Sequence, residues 1–223
     1  MSNKLKWSIL VVLLILVVDQ VLKIWIKTNM LIGESSYVNW GWQIKWAQLL
    51  FVENKGMAFG MQLPGEYGKI ILSSLRLVVI SFIGYYIYKI SKQKISLGFI
   101  IVLSMIFAGA TGNLIDSMFF GLIFEQSPDI YNYAQIEPAS FVPFGSGYAG
   151  FMHGEVVDMF YFPLFTINFP ANFPFVGGIS FKFFEPIFNV ADSSISIGVA
   201  ILLFFGKKWF NELQEIEDAQ KQS

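Results

Sequence analysis

Two aspartates, Asp158 and Asp192, stand where acid–base chemistry is possible. Asp158 lies within Val156-Val157-Asp158-Met159-Phe160. Apolar surroundings of that kind raise a carboxyl pKa and favour the neutral form. Asp192 follows Asn189 by three residues and, taken alone, reads as the partner of a helix N-cap before it reads as a catalyst. If the two converge, like-charge repulsion makes them share one proton, leaving one as base and the other as acid. Few other residues compete for the task. The chain has no cysteine, which excludes a thiol nucleophile, a disulfide, a cysteine zinc site and an iron–sulfur cluster. The single histidine, His153, argues against a histidine metal site and removes the usual general base of a serine hydrolase. Acid–base work therefore falls mainly to carboxylates, with lysine as the fallback, and no metal or cofactor is expected.

The elements that position these residues are membrane helices. The chain is 55% hydrophobic and 14% charged, whereas soluble domains carry about a quarter charged residues. Mean hydropathy is +0.57. A net charge of −1, with no basic stripe among stacking aromatics, gives no case for nucleic-acid binding. Four apolar stretches, roughly 7–26, 70–88, 97–115 and 188–205, have the length of about 20 residues that a bilayer requires. The first has no small-x-small cleavage site and reads as a retained span. Lys4 and Lys6 precede it, Lys89, Lys92 and Lys94 fill the turn between spans two and three, and Lys207 and Lys208 follow span four. The positive-inside rule then puts both termini in the cytoplasm, with Lys23 and Lys27 arguing mildly the other way. Trp7, Trp25 and Trp209 fall at span ends, as an aromatic belt would. The tail 207–223 is read as cytoplasmic, its polar part from Asn211 onward a solvated helix or a disordered end.

The two outer loops, about 28–68 and 117–187, are more than linkers. Val38, Trp40, Trp42, Ile44 and Trp46 alternate with Asn39, Gly41, Gln43, Lys45 and Ala47, the period of a strand with one apolar face. A second run, 49–53, precedes turn chemistry at Asn54-Lys55-Gly56. A small antiparallel sheet on the outer membrane surface, its tryptophan face toward lipid, is expected. The second loop is rich in Phe, Pro and Gly, and loops of such length are usually functional or structured. Its aromatics suit either a flap over an apolar ligand or plain anchorage. The fold class is thus a mainly α membrane protein of one domain, 1–223. It has four transmembrane helices, with the small sheet and a long aromatic loop on the extracytoplasmic face.

Polar residues at membrane depth are costly and point to function. Asp19, Gln20 and Lys23 sit near the outer end of span one, Asn113 and Asp116 close span three, and Asn189 and Asp192 open span four after Asp158. All gather at one boundary. Each has a structural alternative: Asp19 and Lys23, spaced i,i+4, can pair on one face, and Asn113 and Asp116 can cap or tie down a helix end.

These motifs together resemble the bacterial lipoprotein signal peptidase (signal peptidase II) family. The matching segments are Asp19-Gln20-Val21-Leu22-Lys23, Glu53-Asn54-Lys55-Gly56-Met57-Ala58-Phe59-Gly60, Gly109-Ala110-Thr111-Gly112-Asn113-Leu114-Ile115-Asp116, Val156-Val157-Asp158 and Phe188-Asn189-Val190-Ala191-Asp192-Ser193. Five motifs in the family's order are highly specific. The resemblance implies an aspartyl endopeptidase of the bacterial cytoplasmic membrane, active at the extracytoplasmic face. Its substrate is a prolipoprotein whose lipobox cysteine already carries diacylglycerol, cut just before that cysteine. Asp158 and Asp192 match the catalytic pair. Asn54, Gly56, Asn113, Asp116 and Asn189 match residues that frame the site and hold substrate backbone, and Asp19 and Lys23 match a supporting pair. The expected partners are the lipidated substrate and membrane lipid, and a monomer is expected.

Two departures stand out. The family commonly has Arg where this chain has Ser117, and a fixed fork of donors is something Ser cannot imitate. Arg76, the sole arginine, lies in span two and is no obvious stand-in. The stretch between Asp116 and Asp158, including 131–150, is also longer than usual and could alter a flap or add a lid. A transporter using intramembrane acids would predict acids near mid-bilayer and inverted repeats, neither of which is visible. A non-enzymatic assembly factor would predict nothing special about the two aspartates.

Overall fold

The structure, a computed structural model, describes residues 1–39, 43–54, 67–131, 137–175 and 177–221, with the side chains of 36–39 and 43–45 outside that description. Among the described residues, four helices are long and apolar enough to cross a membrane: α1 (Asn3–Asn29), α2 (Gly68–Ile90), α3 (Leu97–Ile115, the start of the third span) and α5 (Val190–Lys221). Their flanks expose Leu14 and Val17 on α1, Val78 and Phe82 on α2, and Leu203 and Phe204 on α5. Contiguous apolar surface of that extent requires lipid as its solvent, and the chain is a multi-pass membrane protein.

Small residues set the bundle's close approach. A Cβ on Gly109 of α3 would lie 2.3 Å from the Ala191 carbonyl oxygen of α5, and one on Gly198 would lie 2.7 Å from Ile106. Hydroxyls add links that lipid cannot compete for: Ser8 to Ser104 across α1 and α3 at 2.7 Å, and Ser194 donating to the Met105 carbonyl at 2.8 Å. The termini and the α2–α3 turn share one end of the bundle. There the Lys4 ammonium donates to the Gln93 and Ile95 carbonyls, and Glu212 accepts from the Ser96 N–H.

Two helices run further than their apolar stretches. The third span continues from α3 through a π turn, Asp116–Phe120, into the short α4 (Gly121–Ile123). The fourth continues unbroken to Lys221, because Leu213 and Ile216 pack against the cluster formed by Ile95, Phe99 and Ile100. Trp209, expected at a membrane boundary, is instead buried against Phe99 with ring centroids 5.2 Å apart. Trp7 and Trp25 do stay exposed.

At the opposite end lies a four-stranded antiparallel sheet, ordered β1 (Ser35–Asn39), β2 (Gln43–Asn54), β3 (Val156–Tyr161), β6 (Ile187–Phe188). The alternating run read as one strand over 38–47 belongs to two paired strands, with residues 40–42 outside the described residues. Period two survives a reversal of chain direction, so alternation alone does not reveal that the run is shared between two strands. The second run, 49–53, is the continuation of β2. Of the tryptophan face, only Trp46 is described; it is exposed and touches Phe162. β3, expected as loop, is one of the sheet's two inner strands. Val157 and Met159 on one of its faces join Ile26, Met30, Phe51, Phe120 and Phe124 in a core. Buried on both faces, its first four residues show no alternation to read.

The long second loop is largely structured. Residues 142–154 run back alongside the end of the third span: the N–H groups of Val142, Gly145, Tyr148, Ala149 and Gly154 donate to the carbonyls of Ile123, Leu122, Phe124, Gly121 and Ser117. All but the Ser117 carbonyl belong to the last turn and cap, where a helix leaves its carbonyls unsatisfied. The described part of the insertion therefore acts as a cap for this span. Between β3 and β6 a separate hairpin forms from β4 (Phe165–Asn168) and β5 (Ser180–Phe183).

Candidate active site

Polar residues from α1, the end of α3, β2, β3 and the start of α5 meet at the sheet end of the bundle. On α1, Asp19 and Lys23 lie one helical turn apart and pair at 2.8 Å, both fully buried. Lys23 also reaches Asp116 at 2.8 Å and donates to the Asn113 side-chain oxygen at 2.8 Å. Gln20 donates to the other Asp116 oxygen at 2.9 Å. A Cβ on Gly112 would sit 2.7 Å from Asp19 Oδ2, so the glycine makes room for the carboxylate. Asp19 Oδ1 in turn accepts the backbone N–H of Ala191 at 2.9 Å, tying α1 to the first turn of α5. Asp116 is thus a tie between α3 and α1, and it reaches toward the sheet as well, accepting the Val157 N–H at 3.4 Å.

Asn189 joins the two central aspartates. Its side-chain amide donates to Asp158 Oδ1 at 2.7 Å, to the Val157 carbonyl at 3.2 Å and to Asn113 Oδ1 at 3.1 Å. Its side-chain oxygen accepts the Asp192 N–H at 2.8 Å, while Asp192 Oδ2 accepts the Asn189 N–H at 3.4 Å. That reciprocal pair is a capping box at the start of α5. The capping role read for Asp192 is real, yet it leaves Oδ1 free to take the Asn113 amide at 2.7 Å. Asp158, on β3, receives Asn54 at 3.3 Å on its second oxygen. The register places Val52 opposite Asp158 and Asn54 opposite Val156, so Asn54 shares the Asp158 face of the sheet. Burial, with the Asp192 charge adding to it, pushes the Asp158 carboxyl up to about 7. Asp192 is only half-buried.

Every expected site residue except one falls in this network. Gly56 lies outside the described residues. Ser117 is buried and donates its hydroxyl to the Asn113 carbonyl, staying within its own helix. Arg76, for which the sequence offers no role, is half-buried on α2 and within electrostatic range of Asp192. A second buried cluster escapes sequence reading: Lys27 pairs with Glu53, Ser127 bonds both, and the ammonium lies 4.8 Å from the Tyr148 ring. Lys23 and Lys27, which argued against the assigned orientation, are each spent in these internal pairs.

Comparison with known proteins identifies the family. The family model described as signal peptidase (SPase) II matches residues 11–206. The lipoprotein signal peptidase of Porphyromonas gingivalis is 48% identical over 193 residues, covering 86% of this chain and 79% of that protein. The lipoprotein signal peptidase of Amoebophilus asiaticus is 34% identical over 198 residues, covering 86% and 74%. A bacterial membrane enzyme structure solved by the in meso method at 2.3 Å resolution is similar with a TM-score of 0.53 and 25% identity, covering 90% of this chain and 87% of that one. The chain belongs to the signal peptidase II family, aspartic-type peptidases that remove signal peptides from lipoprotein precursors.

Proposed function

We propose that Asp158 and Asp192 are the catalytic pair, with Asp158 holding the proton and Asp192 acting as base. The observation that carries this is the Asn189 side chain, which bonds both aspartates from the junction of sheet and helix. The drier carboxyl favours the proton, and that is Asp158. Asp192 takes a proton from water, whose oxygen attacks the scissile carbonyl carbon, while Asp158 donates to the carbonyl oxygen. On collapse, the C–N bond breaks, the proton on Asp192 passes to the leaving amine, and Asp158 recovers its own. Asn54, Asn113 and Asn189 hold the two carboxyls, and Asp116, Asp19 and Lys23 brace the site from α1 and α3.

The substrate is a prolipoprotein cut before its diacylglyceryl-cysteine. The chain works as a monomer in the bacterial cytoplasmic membrane, with both termini in the cytoplasm and the dyad at the extracytoplasmic face. The lysines at the termini and the α2–α3 turn support that orientation. A site at the interface lets water reach the dyad while the acyl chains stay in lipid.

The test is cleavage of a diacylglyceryl-modified prolipoprotein by purified Asp158→Asn and Asp192→Asn variants. Each is expected to lose about 10²–10⁴-fold in rate, the usual worth of a general acid or base. Wild-type turnover in either variant overturns the assignment.

A further inference from the structure

The β4–β5 hairpin separates the strand that carries Asp158 from the helix that carries Asp192, and neither of its strands joins the four-stranded sheet. Its register pairs Phe165 with Phe183 and Ile167 with Phe181, alternating with Thr166 opposite Lys182 and Asn168 opposite Ser180. Successive strand residues point to opposite faces. One face is therefore Phe165, Ile167, Phe181 and Phe183, and the other is Thr166, Asn168, Ser180 and Lys182. An antiparallel sheet with such a pattern normally packs its apolar face on a core. Here all eight residues are exposed, and the Phe165 and Phe183 rings stack on each other at 4.7 Å. At the tip Phe173 and Phe175 are exposed as well.

An isolated two-stranded hairpin is marginal in water, and an open apolar face makes it more so. Lipid is the partner the surroundings favour. At its base, Phe184 and Phe162 both contact the Phe188 ring, at 5.9 and 5.6 Å, and only Asn189 separates Phe188 from membrane helix α5. The aromatic cluster at the hairpin's base thus lies next to the start of membrane helix α5. From Pro163 to Phe184 the sole charged residue is Lys182, on the polar face. The hairpin cannot enter the hydrocarbon, because its two open edges would leave backbone N–H and C=O groups unsatisfied there.

We propose that the β4–β5 hairpin docks on the membrane itself. It lies flat in the headgroup region, with Phe165, Ile167, Phe181 and Phe183 against the acyl boundary and Lys182 toward water and anionic headgroups. Because it is spliced between the two aspartates, it fixes the depth at which the dyad meets the bilayer.

The absence of cysteine makes the test direct, since Phe175→Cys, Phe181→Cys and Lys182→Cys each create one labelling site. The full chain, nitroxide-labelled at one of these positions, is placed without substrate in vesicles of phosphatidylethanolamine and phosphatidylglycerol. Collision rates with oxygen and with a water-soluble nickel complex are then measured. Labels at 175 and 181 are expected to favour oxygen severalfold over the label at 182, which favours nickel. Equal nickel access at 181 and 182 would place the hairpin in water and overturn the proposal. Shielding of 181 from both reagents would mean that protein covers it, and would overturn the proposal equally. Because no substrate is present, acyl chains of a bound prolipoprotein cannot supply the signal, and the outcome does not depend on the dyad assignment.

Discussion

A carboxyl as dry as that of Asp158 sets the pH behaviour of the pair. Its folded-state value near 7 lies well above the ordinary 3.8, with burial as the first cause and the Asp192 charge as the second. The proton is therefore bound in the folded state across the interval in which the unfolded chain has released it. Two consequences share one sign. The stabilisation this proton gives is complete below about pH 4 and is lost as pH rises through about 7. Activity follows the same limb if Asp158 is the acid, so kcat/KM of the wild-type enzyme is expected to fall as pH rises through about 7. A cleavage profile flat from pH 6 to 9 would deny Asp158 the acid's role. The apolar neighbours Val157 and Met159 do signal burial in the sequence, but they face the other side of β3. It is Asn54 and Asn189, from β2 and the start of α5, that meet the carboxyl. Sequence reading misses that Asn189 bonds both aspartates, since an N-cap looks the same whether or not its amide serves a distant strand.

The elements hold the pair in place through close approach between α3 and α5. Gly109 touches the Ala191 carbonyl, one residue before Asp192, and Ile195 lies on the same contact. Gly109→Ala would bring a methyl to 2.3 Å from that oxygen, so α5 must move and carry Asp192 with it. The expected result is a large fall in kcat with a lesser change in KM. Gly206→Ala is the control: it has open space on the same helix, and helix propensity predicts up to about 1 kcal/mol of added stability. Equal activity in the two variants would show that α5 tolerates displacement. The four spans were legible because an apolar run of bilayer length has few other readings. The sheet was half legible. Strands β1 and β2 declare themselves by alternation, but β3 and β6 are recruited across long separations in sequence, and buried or two-residue strands leave no period. The insertion before β3 was legible only as length. Its capping of the third span rests on backbone N–H groups, which carry no residue signature.

Across the whole molecule, two buried lysines of α1 tie that helix to other elements through ion pairs, Lys23 to the end of the third span and Lys27 to the surface sheet. Lys23 binds Asp19 and Asp116 beneath the dyad, while Lys27 binds Glu53 of β2 and Ser127 of the insertion, under the rings of Phe124 and Tyr148. Exposed basic residues report membrane orientation, and these two cannot, because their charge is matched inside the fold. The second pair gives a test of what it contributes. Lys27→Met leaves Glu53 buried without its cation, and removing one member of such a pair costs about 3–5 kcal/mol. The thermal midpoint of the detergent-solubilised protein is expected to fall accordingly. Adding Glu53→Leu removes the stranded charge, and well-packed apolar replacements of a buried pair are often neutral. The double variant should therefore recover most of the midpoint. Recovery would mean that the pair serves to fix the sheet's position over α1 more than to stabilise the fold. In that case cleavage activity should stay low in the double variant even as stability returns. A double variant as unstable as Lys27→Met would instead make the ion pair itself the fastening between sheet and bundle.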